Sequence, residues 1–142
     1  MEFTADNAKM ALAQNKDFEQ AEVVIEGGNA QVIVKPETFW DDTDLVKMAG
    51  EAAISAGDIL FKNPNLAQLK VITSAVMTDQ YGNEKTESAA YLIIKRETAG
   101  KINWTGLAER HISDPGNIYR VVDDFYVHPG VLKNVKTTEI KF

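Results

Sequence analysis

Residues 43–62 read TDLVKMAGEAAISAGDILFK, and this stretch decides the fold of the chain. Its apolar side chains recur at intervals of three and four residues, which is the spacing of one helical face. They are Leu45, Met48, Ala49, Ala52, Ala53, Ala56, Ile59 and Leu60. The pattern predicts an amphipathic helix whose stripe of small residues allows close packing on a sheet.

Polar residues mark both ends of this helix. Asp42 and Thr43 are residue types that cap helix N-termini, and the acidic Asp41, Asp42 and Asp44 suit the positive end of the helix dipole. Asn63-Pro64-Asn65 ends the helix, because proline cannot continue it.

Strand-forming runs lie on either side of the helix. Residues 21–26 and 30–35 are rich in β-branched side chains, and Gly27-Gly28-Asn29 joins them as a hairpin turn. A second hairpin is predicted with arms near 68–78 and 85–96 and a turn at 79–84. The return arm is apolar on both faces, so it is predicted as an interior strand.

Shorter helices complete the prediction, over residues 4–15 and 98–112 and around Ile118 to Phe125, where Pro129-Gly130 ends the last one. The tail from Lys133 to Phe142 is predicted as either a final strand or a loose terminus. The fold class is therefore α+β, with two β-hairpins forming a mostly antiparallel sheet, the long helix on one face and short C-terminal helices. Residues 1–142 are predicted as a single globular domain, with the strand order undetermined.

Composition excludes several classes of function. The chain of 142 residues has 15 Lys plus Arg against 21 Asp plus Glu, a formal charge of −6, which argues against nucleic-acid binding and a polybasic membrane surface. No apolar run approaches the ~20 residues of a membrane span, so no transmembrane segment is predicted. The absence of cysteine removes disulfides, thiol nucleophiles and thiolate zinc sites.

Metal chemistry has few candidate ligands. The only histidines, His111 and His128, could join Glu109, Asp123 or Asp124, but their spacing matches no metal motif. The acidic groups at 41–44 and 79–84 could attract calcium. The same residue types are also favoured at a helix N-terminus, as at 41–44, and in a hairpin turn, as at 79–84. No metal site, cofactor or catalytic residue is predicted.

Aromatic side chains offer one candidate binding site. Trp40, Trp104 and Tyr126 could line a groove, with Asp124 and His128 as its polar groups; core packing is the commoner role for such aromatics. Asp123 and Asp124 are also candidate acid–base groups, but on the predicted helix neighbouring side chains point about 100° apart, so only one of them could meet a given partner.

Two segments, residues 78–84 (TDQYGNE) and 96–104 (RETAGKINW), resemble small exported lipoprotein ectodomains of Gram-positive bacteria. This resemblance covers about the middle and C-terminal thirds and implies an extracytoplasmic domain, with a membrane anchor on the full-length precursor; those proteins are largely of unknown function. Residues 1–6 show no signal peptide, although Glu2-Phe3 is also what a common cloning site encodes, so a replaced leader and a cytoplasmic location both stay open. The predicted function is a non-catalytic interaction or accessory domain with a protein or small-molecule partner. The alternative is a small-molecule-binding domain or enzyme using the aromatic site, and the oligomeric state is undetermined.

Overall fold

A computed structural model describes residues 2–142 as five strands and six helices around one apolar core. The strands are β1 (Glu22–Glu26), β2 (Asn29–Val34), β3 (Gln68–Thr78), β4 (Glu84–Lys95) and β5 (Asp124–Val127). The helices are α1 (Ala5–Leu12), α2 (Asp42–Leu60), α3 (Arg96–Ala99), α4 (Trp104–Ser113), α5 (Asn117–Val121) and α6 (Pro129–Leu132), and a 3₁₀ turn covers Lys16–Phe18. The α+β fold class is confirmed.

The strands lie in the sheet in chain order, β1-β2-β3-β4-β5. Three of the neighbouring pairs are antiparallel, and β2 and β3 are parallel because α2 carries the chain back across the sheet between them. The sheet is therefore mixed, with both predicted hairpins in place. β4 lies between β3 and β5, as expected for a strand that is apolar on both faces.

Helix α2 packs on one face of the sheet and forms the centre of the core. Ala49, Ala53 and Ala56 are almost completely buried, and on the sheet Leu69 and Leu92 are fully buried in the same cluster. Helices α1, α4, α5 and α6 all contact α2, so they lie on its side of the sheet. The small side chains allow α2 to lie close to the strands.

The N-terminus of α2 differs by one residue from the sequence prediction. Asp41 is the N-cap, and its side chain accepts a hydrogen bond from the backbone N–H of Asp44 (2.8 Å). Thr43 is buried instead, and its hydroxyl accepts a hydrogen bond from the N–H of Lys136 (2.9 Å). Thr43 thus ties the helix to the C-terminal tail, a long-range contact that a local capping pattern does not contain.

The turn of the second hairpin depends on Gly82, which has φ +82°. A side chain at this left-handed conformation is strained, so Gly82→Val should lower the free energy of unfolding by about 1 kcal/mol or more. Urea denaturation measures the change. Gly82→Asn is the control, because asparagine tolerates this conformation and should lose less; equal stabilities for the valine variant and the parent would contradict the assignment.

The segment after α5 is a strand, and the sequence prediction of a helix through Phe125 was wrong. Helix α5 ends at Val121, and β5 pairs antiparallel with β4, opposite residues 90–93. Pro129 begins α6 rather than ending a helix, in keeping with proline at the first helical turn. The edge of β4 that does not pair with β3 supplies hydrogen-bond partners for the backbone of β5. Local periodicity in the sequence does not contain this long-range pairing.

The C-terminal tail is neither a strand nor a loose terminus. Val135 and Ile140 are buried, and Phe142 stacks on Phe125 with ring centroids 5.5 Å apart. Gly116 lies directly against the backbone of Lys141, where any Cβ would collide. The tail is therefore held by packing of single apolar residues and one close backbone approach.

An ion pair links this tail to α2 and should make stability depend on pH. The Lys47 Nζ donates to the Glu139 carboxylate (2.8 Å), and this hydrogen bond, aided by the charges of Lys47 and Lys136, lowers the pKa of Glu139. A carboxylate whose pKa is lower in the folded state adds stability at neutral pH that is lost as pH falls through 4.5 and below.

Glu139→Gln should therefore lower the melting temperature slightly at pH 7, with the difference from the parent shrinking toward pH 3. Calorimetry at a series of pH values measures this. The control is Glu109→Gln on exposed α4, which should not change the acid dependence. A Glu139→Gln difference that is constant with pH would contradict a role for the ion pair.

Candidate functional site

The strand register places four apolar side chains in one line across the sheet. Ile33 on β2 lies beside Ile72 on β3. Ile72 lies opposite Tyr91 on β4, and Tyr91 lies opposite Tyr126 on β5. Side chains at paired positions share a face of the sheet. We call Ile33, Ile72, Tyr91 and Tyr126 the apolar row.

The apolar row lies on the face opposite α2. Along β3 and β4 the core residues Val71 and Leu92 alternate with Ile72 and Tyr91, which therefore point away from the helices. Ile72 is only 9% exposed, yet it does not belong to the core cluster. Helices α1, α4, α5 and α6 contact α2 on the other side of the sheet and so form no layer over Ile72.

Aromatic and cationic contacts organise the centre of this face. The rings of Tyr91 and Tyr126 stack with centroids 5.2 Å apart and planes 20° apart. The Lys70 Nζ lies 4.2 Å from the centroid of the Tyr91 ring, a cation–π contact. Ile93 lies opposite Lys70 and beside the row. The face thus offers a half-buried apolar strip with the ammonium group of Lys70 beside it, and Asp124 lies on the same face opposite Ile93.

The structure separates the two predicted tryptophans from this face. Trp40 precedes α2 and is 94% exposed, with its backbone N–H donating to the Asp44 carboxylate (3.0 Å). Trp104 begins α4 and stacks on Phe61, 6.2 Å between centroids. These tryptophans therefore do not line a common groove with Tyr126.

Trp104 instead seals the contact between α4 and α2. A Cβ built on Gly57 would stand 2.6 Å from Cζ3 of the Trp104 ring, which is too close for the two to coexist unmoved. The indole ring lies where the missing side chain of Gly57 leaves room.

Gly57→Ala should consequently cost about 2 kcal/mol of unfolding free energy, because overpacking outweighs the gain of about 1 kcal/mol in helix propensity. Urea denaturation measures it. Gly100→Ala is the matched control, since its Cβ would meet nothing closer than 3.5 Å. The double variant Gly57→Ala/Trp104→Leu should be more stable than the sum of the single losses implies; strict additivity would contradict the contact.

Strand β5 brings three predicted residues close in space. Asp124 and Tyr126 alternate along the strand and lie opposite Ile93 and Tyr91, so both belong to the open face. His128 follows two residues later. Asp124 is the first residue of β5 and Asp123 lies in the bend before it, so the two are not on a helix as the sequence predicted.

Two of these polar groups have clear structural partners. The Asp123 carboxylate accepts hydrogen bonds from the N–H of Lys95 (2.7 Å) and the hydroxyl of Thr98 (2.9 Å). His128 Nδ1 accepts from the N–H of Gly130 (2.9 Å) and so caps α6, and its Nε2 lies 3.2 Å from the Glu87 carboxylate. His128 thus joins β4, β5 and α6.

His111 lies on the helix side of the molecule, apart from His128. Its Nε2 is 2.9 Å from the carbonyl oxygen of Lys47, and its Nδ1 is buried with no hydrogen-bond partner among residues 2–142. Within that same part of the chain no three His, Asp or Glu side chains converge as metal ligands.

In the acidic segments 41–44 and 79–84, carboxylate oxygens accept hydrogen bonds from backbone N–H groups. Asp41 caps α2. The Asp79 Oδ1 accepts hydrogen bonds from the N–H groups of Tyr81 (2.8 Å) and Asn83 (2.9 Å), and the bond from Asn83 is the main cause of the lowered pKa of Asp79. The hairpin turn therefore uses the carboxylate that a cation would need.

Sequence reasoning missed Ile33, Ile72, Ile93, Tyr91 and Lys70 as members of one surface. The sequence does contain one signal for this surface, because the residues of β4 are apolar on both faces. That pattern is typical of an interior strand, but it also fits a strand whose second face is open and apolar. Only the register shows that β2, β3 and β5 continue the same line.

Comparison of the chain with protein-family models, with curated proteins and with solved structures found no match. The fold and the surface together define an α+β domain with helices on one side of its sheet and a partly apolar open face on the other. In the part of the chain described, residues 2–142, no helix combines the length and apolarity needed to cross a membrane.

Proposed function

We propose that this chain is a non-catalytic interaction domain that contacts a partner protein through the open face of its sheet. The observation that carries the proposal is the apolar row, Ile33, Ile72, Tyr91 and Tyr126, on the face that lacks a helical layer. A one-sided antiparallel sheet ordinarily turns polar residues to water. An apolar strip at such a position, half-buried as it is, supplies apolar surface that a partner protein would remove from water.

The ammonium group of Lys70, which contacts the Tyr91 ring of the row, indicates the chemistry of the partner. Lys70 lies on the central strand and forms no ion pair within residues 2–142. A partner with an apolar centre and a carboxylate at its edge would bury the row and pair this ammonium group. A second copy fits less well, because a two-fold axis through the middle of the face would bring the two Lys70 side chains together.

Photo-cross-linking in the cells that produce the protein tests this function. A photoreactive amino acid at position 126 or 91 should give one discrete adduct with another protein, and Lys70→Glu should abolish it. The control positions are Glu109 and Thr105, both exposed on α4, which should give no such adduct. Adducts from the α4 positions only, or adducts of the chain with itself, would overturn the proposal.

The location that we propose for this domain is outside the cytoplasm, and the support is the resemblance of residues 78–84 and 96–104 to exported lipoprotein ectodomains. A membrane anchor would then belong to the full-length precursor. Fractionation of cells that express the native gene with a C-terminal tag tests this. Protease accessibility of the tag in intact, wall-stripped cells supports export, and recovery only in the cytosol overturns it.

The alternative function is ligand binding or catalysis at β5. Asp124 and Tyr126 share the open face, and His128 follows on the same segment, so a small polar ligand could meet three of the five predicted side chains. Substitution of Asp124 by asparagine would then weaken ligand binding without changing the cross-linked adduct from position 91. The interaction function is preferred because the apolar row extends across four strands, well beyond β5.

A further inference from the structure

A groove on the helix side of the molecule combines an apolar floor with unpaired positive charge. It has a volume of about 640 Å³ and lies between the segment after α3, helix α4 and helix α5. Ile102, Leu107 and Val121 supply apolar side chains to it. This volume lies within the range of about 300–1,000 Å³ typical of small-molecule sites.

The charged residues that line this groove are both cationic. They are Lys101 and Arg110, and neither forms an ion pair within the described residues, 2–142. Asp123 is not among the residues that line the groove, and among residues 2–142 its carboxylate forms no ion pair with Lys101 or Arg110; it accepts hydrogen bonds from the N–H of Lys95 and the hydroxyl of Thr98. In a chain with a formal charge of −6, this is a local reversal of sign.

The other grooves found among residues 2–142 differ in this respect. The groove between α1 and α2, of about 600 Å³, has Glu2 and Lys62 on its walls, so its charges balance. The depression around Trp104 has the acidic Asp58 and Glu109. The cation-only lining is therefore a property of this groove and not of the surface in general.

The polar side chains suit a carboxylate more than a point anion. The Arg110 guanidinium presents a planar fork of N–H donors that matches the two oxygens of a carboxylate, and Lys101 adds a second charge. The Asn117 side chain makes no hydrogen bond within the described chain and adds an amide to the wall. We propose that this groove binds a small organic carboxylate whose apolar body lies on Ile102, Leu107 and Val121.

The site is independent of the open sheet face. Helices α4 and α5 contact α2, whereas the apolar row lies on the other side of the strands. A bound carboxylate and a bound partner protein would therefore occupy opposite sides of the molecule. Failure of the cross-linking experiment leaves this proposal unaffected, and the reverse is also true.

Titration with 4-phenylbutyrate, followed by the chemical shifts of backbone amides, tests the proposal. We expect saturable shifts confined to residues of α4, α5 and the loop before α4. Arg110→Gln and Lys101→Gln should each raise the dissociation constant for phenylbutyrate at least tenfold. Lys62→Gln, in the groove of similar volume between α1 and α2, is the matched control and should leave binding unchanged.

The neutral isostere 4-phenylbutanamide separates charge recognition from apolar burial. It should bind at least tenfold more weakly than the carboxylate, and raising the salt concentration should reduce this difference. Equal binding of the amide, weakening by Lys62→Gln alone, or no saturable shift up to about 10 mM phenylbutyrate would each overturn the proposal.

Discussion

Ala53→Arg is expected to lower the free energy of unfolding by about 4 kcal/mol or more, which is a large share of the roughly 5–15 kcal/mol typical of a folded domain. Ala53 is completely buried on the face of α2 that packs on the sheet. Arginine at this position would place a charge among apolar side chains without a partner and would force α2 away from the strands. Urea denaturation followed by far-ultraviolet circular dichroism measures the loss.

Two further variants keep this prediction testable if the arginine variant does not fold. Glu51→Arg changes an exposed residue of the same helix, and its unfolding free energy should stay within about 0.5 kcal/mol of the parent. Ala53→Leu adds volume without charge and should cost about 2 kcal/mol. An arginine variant as stable as the Glu51→Arg control would show that this face of α2 does not lie on the sheet.

Arg96→Ala is expected to cost about 3 kcal/mol, because Arg96 closes the C-terminal end of α2. Its guanidinium donates to the carbonyl oxygens of Phe61 (3.3 Å) and Asn63, and its Nε donates to that of Leu66. The last turn of α2 has no basic residue of its own, so Arg96 also provides the positive charge that the helix dipole favours there.

The ring of Phe61 adds an apolar contact, with the guanidinium carbon 5.3 Å from its centroid. Arg96→Ala would remove this packing and leave the carbonyl groups of Phe61 and Leu66 without a donor, whereas the Asn63 carbonyl would keep the N–H of Leu66 (3.3 Å). Arg96→Lys should recover only part of the loss, since an ammonium group cannot reach three acceptors in the geometry of a planar fork. Calorimetry and urea denaturation measure both variants.

Arg110→Ala is the control for Arg96, because Arg110 is exposed on α4 and makes no ion pair within residues 2–142. Its unfolding free energy should change by no more than about 0.5 kcal/mol. An Arg96→Ala variant that matched this control would mean that the carbonyl contacts at the end of α2 contribute nothing measurable to stability.

The elements with strong local patterns followed from the chain alone. Helix α2 has a long apolar stripe with acidic residues at its start, and the two hairpins have glycine-containing turns, with Gly27 and Gly82 both at positive φ. Local backbone preference and hydrophobic periodicity agree in these segments, so neighbouring residues contain enough information. The α+β class and the interior position of β4 depend on these elements.

The segment 118–127 shows where that information ends. Ile118, Val121, Val122 and Phe125 have helical spacing, yet the chain leaves α5 at Val121 and forms β5. The edge of β4 offers hydrogen bonds to a strand, and Tyr126 gains a stacking partner in Tyr91 only in that conformation. Tertiary pairing outweighs a weak helical preference here, and the tail beyond Lys133 depends in the same way on buried Val135 and Ile140.

The amino-acid sequence by itself thus determined the charge of the chain, the long helix and the hairpins. The helix and the hairpins could be predicted because they depend on contacts within a few residues. The parallel pairing of β2 with β3, the strand β5 and the apolar row were decided by the folded molecule. Residues as far apart in sequence as Ile33 and Tyr126 come into one line across the sheet only through strand register. Lys101 and Arg110 come to share one groove only where α4 and α5 meet the segment after α3. Surfaces of this kind are built from side chains distant in sequence, so their chemistry is visible only after the backbone has been placed.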